Sequence, residues 1–139
     1  QARCLDLGTG SGILSIAAAL LGAESVLAVD VDEVAVVNAR ENLARNALAE
    51  QCVEVRTGSL EVVGEASFDL ILANIQSHIL RPLLTPIDRL LKPVGLVLFS
   101  GLLVREGADF CGWVEDAGLQ IETTMEKGEW ICVVARNAR

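Results

Sequence analysis

Short apolar runs alternate along this chain with segments whose apolar residues recur at helical spacing. Aliphatic runs of about five to seven residues are typical of strands in a sheet that is covered on both faces. The runs predict seven strands, at Arg3–Leu7, Ser25–Asp30, Cys52–Arg56, Phe68–Ala73, Leu96–Ser100, Leu119–Met125 and Glu129–Ala135.

Apolar residues spaced three and four apart predict the helices between these strands. The helices are expected at about Ser11–Leu21, from Asp32 to Asn46, from about Thr85 onward, and at about Glu106–Ala117. Gly22 is placed to end the first helix, and Asp32 is placed to cap the second. Pro82 and Pro86 interrupt a periodicity that begins at Leu80, so we expect the third helix to have a broken start.

Two turns complete the predicted fold. Residues 92–95, Lys-Pro-Val-Gly, predict a turn into the fifth strand, and Lys127-Gly128 predicts a hairpin between the last two. Alternating strands and helices favour a doubly wound α/β fold with right-handed crossovers, in which the last strand is antiparallel. We therefore expect residues 1–139 to form one domain around a mostly parallel, Rossmann-like sheet of seven strands.

Composition and charge limit the partners. Hydrophobic residues make up 52% of the 139 residues, and the net charge of −8 argues against nucleic-acid binding while remaining compatible with a basic protein partner. No run reaches the ~18 apolar residues of a membrane span, and no signal peptide is visible, so we expect a soluble cytoplasmic protein. The cysteines form no C-x-x-C pair, and we expect small buried residues with neither zinc nor a disulfide.

The candidate chemistry begins directly after the first strand. Residues Asp6 to Gly12 have the pattern D-x-G-x-G-x-G, in which glycines let a ligand approach the backbone ahead of a helix N-terminus. A dinucleotide fingerprint would need its third glycine at Ile13, and Asp6 would repel a pyrophosphate. The pattern resembles motif I of class I S-adenosylmethionine (SAM) methyltransferases. We therefore predict that amides around Gly8 to Gly10 hold the carboxylate of SAM and that Asp6 attracts its ammonium group.

Further cofactor contacts are predicted after the second and third strands. Asp30 ends the second strand about 20 residues past the glycines, where a carboxylate can accept hydrogen bonds from ribose hydroxyls. Val31 is then expected to pack against adenine. Ser59 stands where Asp is common in this superfamily, and it either hydrogen-bonds adenine or is a simple turn serine. The full set of predicted cofactor-binding residues is Asp6, Gly8, Thr9, Gly10, Gly12, Asp30, Val31, Ser59 and Asn74.

Asn74 is the candidate catalytic residue. It ends the fourth strand in Ala73-Asn74-Ile75, which lacks the prolines and the aromatic residue of the N-P-P-Y motif of glutamine and adenine methyltransferases. Its amide could orient an amine beside the methyl donor, although an asparagine that caps the strand end is the structural alternative. We interpret His78, the sole histidine, as a surface residue at a helix start. The topology places the predicted site residues along one rim of the sheet.

The chain resembles a specific family, the bacterial methyltransferase of ribosomal large-subunit protein eleven and its protein-lysine methyltransferase relatives. The resemblance extends from motif I through Ala73-Asn74-Ile75, Ser100-Gly101-Leu102 and Gly128-Glu129-Trp130. It implies methylation of lysine side chains and a terminal amine of a ribosomal protein, by in-line displacement at the methyl group of SAM without a metal. It also implies that Gly8, Asp30 and Asn74 contact SAM.

Three departures from the family pattern accompany this resemblance. The family has an N-terminal substrate-recruiting domain and a Thr-containing loop ahead of the first strand, and neither has a counterpart in residues 1–139. We therefore expect residues 1–139 to be the catalytic part of a longer protein. Val94 stands where the family usually has glycine. The alternatives are a methyltransferase of a small molecule or RNA, a dinucleotide-binding oxidoreductase, and a non-catalytic scaffold with this fold.

Overall fold

A computed structural model describes residues 1–48 and 52–139, which fall into two compact units, residues 1–68 and residues 69–139. The described residues of the first unit form three strands, two helices and one turn of 3₁₀-helix. These are β1 (Arg3–Leu7), α1 (Ile13–Leu20), β2 (Ser25–Asp30), α2 (Glu33–Arg45), β3 (Val53–Thr57) and the 3₁₀ turn Leu60–Val62. All three strands are parallel, with Asp6 of β1 opposite Ala28 of β2.

The ends of the first two helices follow from local hydrogen bonds. The predicted start of α1 at Ser11 is two residues early, because Gly12 adopts a φ of 85° and precedes the first helical residue, Ile13. The predicted cap of α2 is confirmed, since the Asp32 carboxylate accepts a hydrogen bond of 2.9 Å from the amide of Val34.

The second unit follows the first along the chain. Its elements are β4 (Phe68–Asn74), α3 (Ser77–Leu80), α4 (Leu84–Leu90), β5 (Leu91–Leu103), α5 (Gly107–Asp116), β6 (Leu119–Lys127) and β7 (Trp130–Asn137). A 3₁₀ turn at Arg81–Leu83 separates α3 from α4, which confirms the broken helix predicted from the two prolines. A T-shaped contact between Phe99 and Phe110, with ring centroids 5.1 Å apart, lies in the core of this unit.

The start of β5 differs from the prediction. Residues 92–95 were expected to form a turn, but the strand begins at Leu91 and extends to Leu103. Within residues 92–95, Val94 takes a left-handed conformation, with a φ of 56°, and its amide donates to the carbonyl of Arg139. Proline and glycine in this segment therefore leave the backbone extended on either side of one distorted residue.

The predicted fold class is confirmed. The strands follow the order β3-β2-β1-β4-β5-β7-β6 in one seven-stranded sheet, in which β7 is antiparallel to β5 and to β6. Cys4 is buried as expected, whereas Cys52, Cys111 and Cys132 are only half-buried because they lie outside the apolar core. Within residues 1–48 and 52–139, no helix is long and apolar enough to span a membrane.

Candidate functional site

A buried polar cluster lies beneath the glycine loop of the first unit. Asp6 is 1% exposed, and its Oδ2 atom accepts hydrogen bonds from the hydroxyls of Thr9 (2.8 Å) and Ser15 (2.7 Å). Its Oδ1 atom is equally buried but meets no hydrogen-bond partner in the described part of the chain. A buried acceptor without a donor is unfavourable, so this oxygen is the strongest sign of a missing ligand group in the first unit.

The surroundings of Asp6 act on its pKa in opposite directions. Burial raises the pKa, while the hydrogen bonds from the Ser15 and Thr9 hydroxyls and from the Ser15 backbone lower it. The negative charge of Asp30 raises it further. The net direction is upward, so the hydroxyl groups only partly offset the desolvation of the carboxylate.

Asp30 joins the glycine loop to the end of β2. Its Oδ2 atom accepts from the amide of Gly10 at 2.9 Å, and its Oδ1 atom accepts from the amide of Asp32 at 3.0 Å. A carboxylate oxygen can accept more than one hydrogen bond, so both oxygens retain capacity for a ligand hydroxyl. Val31, the next residue, is 73% exposed and is available for an apolar contact.

The backbone amides of the glycine loop donate hydrogen bonds within the protein. Gly8 and Thr9 both donate to the carbonyl of Val29 at 2.9 Å, and Gly10 donates to Asp30. Gly12 donates to the carbonyl of Thr9. Amides around Gly8 to Gly10 could therefore hold a ligand carboxylate only in exchange for these internal hydrogen bonds.

The other predicted residues of the first unit, which include Gly10, Gly12, Thr9 and Ser59, have different surroundings in the structure. A Cβ atom added at Gly10 would meet no atom within 4 Å, which leaves open space for a ligand. At Gly12 it would lie 3.3 Å from the Cβ of Ala39, so this glycine lets α1 pack closely on α2. Thr9 is 6% exposed and turned toward Asp6, while Ser59 is half-buried ahead of the 3₁₀ turn.

Asn74 is exposed at the end of β4 in the second unit. Gly101 lies against it, and a Cβ atom there would approach the Asn74 Oδ1 atom to 2.5 Å. Gly101 also has a φ of 76°, which favours glycine. Gly101 therefore belongs to the candidate site, although its sequence motif alone gave no role for it.

Two clefts of the second unit meet at Asn74, Gly101 and Trp130. Their volumes are about 510 and 480 Å³. The first continues along Met125, Lys127 and Cys132, and the second along Gln76, His78, Leu103 and Glu106. Trp130 is 51% exposed, so its ring forms an apolar surface beside the Asn74 amide. An amide next to an aromatic surface can orient a polar group on an otherwise apolar chain.

A hydrogen-bonded pair supports the wall of the second cleft. Ser77, which is buried at the start of α3, donates to Glu106 Oε2 at 2.5 Å, and Glu106 Oε1 accepts from the amide of Leu103. The hydrogen bond from Ser77 is the main cause that lowers the pKa of Glu106. His78 is exposed near the start of α3, which confirms its interpretation as a surface residue at a helix start.

Comparison with known proteins identifies the family. Residues 1–138 match the family described as Ribosomal protein L11 methyltransferase (PrmA). The chain belongs to this family. The Ribosomal protein L11 methyltransferase of Heliobacterium modesticaldum is 42% identical over 138 residues, which are 99% of this chain and 43% of that protein. The chain thus spans less than half the length of this relative of the L11 methyltransferase family.

Solved structures agree with this assignment. The ribosomal protein L11 methylase of Lactobacillus delbrueckii subsp. bulgaricus has a TM-score of 0.88 at 37% identity, covering 97% of this chain and 70% of that chain. A putative methyltransferase complexed with SAH has a TM-score of 0.81 at 14% identity, covering 97% of this chain and 45% of the other, and shows the fold alone. The predicted membership in the L11 methyltransferase family is confirmed.

Proposed function

We propose that this chain binds SAM and transfers its methyl group to amines of ribosomal protein L11. The observation that carries the proposal is the buried Oδ1 atom of Asp6, which has no hydrogen-bond partner among the described residues. An ammonium group would supply both the missing donor and a charge opposite to that of the carboxylate. The membership in the L11 methyltransferase family supports SAM as the ligand that brings this group.

The remaining residues of the first unit fit the other parts of SAM. Asp30 retains acceptor capacity for ribose hydroxyls, and Val31 offers an exposed apolar surface for adenine. The space at Gly10 admits a ligand beside the loop, and Ser59 could reach adenine with its hydroxyl. Gly8, Thr9 and Gly12 stabilise the loop, because their backbone amides donate hydrogen bonds to carbonyl groups within the protein.

The acceptor amine is assigned to the second unit. When bound, SAM supplies a methyl group activated by its positive sulfur, so the protein needs to position an amine rather than to provide a nucleophile. Asn74 can accept a hydrogen bond from the amine at its Oδ1 atom and thereby direct the nitrogen lone pair. Gly101 leaves room for that amide, and the Trp130 ring could lie along the aliphatic part of a lysine side chain.

Substrate selection is proposed to involve more than this chain. The H. modesticaldum relative has more than twice the matched length, and the family name supports L11 as the substrate. We therefore assign residues 1–139 to the catalytic part and the capture of L11 to regions of the family outside it. Because ribosomal proteins are made and modified on the inside of the bacterial cell, we place the reaction in the cytoplasm.

Titration calorimetry with SAM tests the cofactor site. We expect Asp30→Ala to bind SAM about 10- to 100-fold more weakly, because a hydrogen bond to a charged group is worth about 1.5–3 kcal/mol. Asp32→Asn is the matched control, since it removes a neighbouring carboxylate but keeps a residue that caps α2. Equal affinity of wild type and Asp30→Ala would remove Asp30 from the site.

Transfer of labelled methyl groups tests the reaction. The wild-type chain and the full-length H. modesticaldum protein are assayed in parallel on purified L11 and on ribosomal RNA. We expect transfer to L11 only, and Asn74→Ala should keep SAM binding but lose most of the transfer. Labelling of RNA alone, or thermal stabilisation by NAD instead of SAM, would overturn the proposed function.

A further inference from the structure

Ser15 is a buried polar residue to which the proposed function gives no role. It is the only polar side chain of α1 (Ile13–Leu20), and it is 0% exposed. A buried hydroxyl is unfavourable unless it is hydrogen-bonded, and this one donates to Asp6 Oδ2 at 2.7 Å. The hydrogen bond to Asp6 therefore accounts for the single buried serine on this otherwise apolar helix.

The hydrogen bonds around Asp6 are unevenly divided between its two oxygens. Ser15 and Thr9 both donate to Oδ2, and their hydroxyl oxygens are 3.3 Å apart. A carboxylate can rotate about the bond to its side-chain carbon, and two donors on one oxygen stop that rotation. The result is that Oδ1, rather than Oδ2, is the atom left without a partner among the described residues.

We propose that Ser15, together with Thr9, is a positioning residue that fixes the Asp6 carboxylate so that Oδ1 receives the ammonium group of the ligand. This inference rests on the proposed function, namely that the glycine loop binds SAM. Ser15 itself does not touch the ligand, and it acts only through the orientation and the charge of Asp6.

The charge of Asp6 depends on the same two hydroxyls. Burial and the negative charge of Asp30 raise its pKa, whereas the hydrogen bonds from Ser15 and Thr9 lower it. α1 contributes no charged side chain, and Asp30 is the charged residue of β2, the strand paired with β1 in this unit. Without the Ser15 hydroxyl the pKa rises further, and a protonated Asp6 no longer attracts a cation.

Two ligands separate this role from general damage to the site. SAH carries the amino-acid part of SAM, whereas 5′-methylthioadenosine shares the nucleoside and the thioether but lacks the ammonium group. Both are titrated into wild type and Ser15→Ala between about pH 5 and pH 8. We expect Ser15→Ala to weaken SAH binding about tenfold at neutral pH and to leave 5′-methylthioadenosine unchanged.

The pH dependence gives a second readout that a merely structural role would not move. Affinity for SAH is lost as the pH falls through the pKa of Asp6, because protonation removes the negative charge. Since the loss of the Ser15 hydroxyl raises that pKa, the loss of affinity should occur at a higher pH than in wild type. Ser25→Ala is the serine control, because Ser25 lies on β2 three residues before Ala28, which pairs with Asp6. Its SAH profile should match that of wild type.

A second pair of variants keeps the test independent of the folding of Ser15→Ala. Thr9→Val removes the other hydroxyl and should shift the SAH profile in the same direction, while Thr9→Ser keeps the hydroxyl and should restore the wild-type profile. Equal weakening of both ligands, or an unshifted SAH profile in Ser15→Ala and Thr9→Val, would overturn the positioning role alone. Failure of wild type to bind either ligand would overturn the proposed function and this inference together.

Discussion

Val94 combines a β-branched side chain with a left-handed backbone. Its φ is 56°, and its side chain is 61% exposed. Such a conformation costs about 1–2 kcal/mol for a residue with a Cβ atom, and the packing of an exposed side chain offsets little of this strain. The backbone itself is held in place, because the Val94 amide donates to Arg139 and its carbonyl accepts from Arg136.

Replacing this valine by glycine should stabilise the protein. We expect Val94→Gly to raise the free energy of unfolding by about 0.5–1 kcal/mol, since relief of strain exceeds the greater entropy of an unfolded glycine. Urea denaturation measures the change. Val94→Ala keeps a Cβ atom and should recover less, so a larger gain for alanine than for glycine would contradict the strain argument.

Single residues of the site could be predicted when their own sequence motif marks them. Asp6, Gly10 and Asp30 stand at fixed distances from strand ends, and the structure links Gly10 directly to Asp30. No role was predicted for Ser15 or Gly101, because the roles proposed for them depend on contacts with Asp6 and Asn74 that only the folded chain supplies. The hydrogen bonds from the loop amides to Val29 and Asp30 could not be predicted for a related reason, since the sequence does not show which groups accept from them.

The segment between β5 and α5 is held by the side chain of Glu106. Glu106 accepts from the Ser77 hydroxyl and from the Leu103 amide, and these bonds lower its pKa from the ordinary value of 4.5. A carboxyl group whose pKa is lowered by folding stabilises the folded state above its unfolded pKa. That contribution is lost as the pH falls through the folded pKa.

The stability contributed by this pair should therefore depend on pH. We expect Ser77→Ala to lower the free energy of unfolding at neutral pH, with the difference from wild type shrinking between about pH 5 and about pH 3. Urea denaturation across this range checks the direction. In a Glu106→Gln background, which has no carboxyl group to titrate, the pH dependence of the Ser77→Ala effect should vanish.

The elements themselves could be predicted well where hydrophobic pattern and end signals agree. β1 and β2 have their predicted bounds, and the prolines correctly divided the helix before β5. The early start of β5 could not be predicted, because Pro93 and Gly95 usually break strands. The backbone of Val94 is nevertheless held by hydrogen bonds with Arg136 and Arg139, which are more than 40 residues away in the sequence.

The molecule as a whole has a net charge of −8, and this charge acts on an approaching substrate before any direct contact forms. A negative surface attracts a basic partner over a range set by the Debye length, which is about 8 Å at physiological ionic strength. This attraction raises the rate of encounter more than the strength of the final complex.

Salt should therefore slow transfer to a basic substrate. We expect kcat/KM for methyl transfer to L11 to fall as NaCl is raised from about 50 to about 500 mM, while SAM affinity in calorimetry changes much less. A free lysine derivative, which lacks an extended basic surface, is the control and should show a weaker salt dependence. Equal salt dependence for the two acceptors would exclude long-range steering by the protein.

The hydrogen bond from the Gly10 amide to the Asp30 carboxylate should affect the rates at which ligands bind and dissociate. Because the loop is already tied to the end of β2, it loses little conformational freedom when a ligand binds. Such a preorganised loop gives similar association rates to ligands that share a nucleoside. Their different affinities would then be expressed in how long each one stays bound.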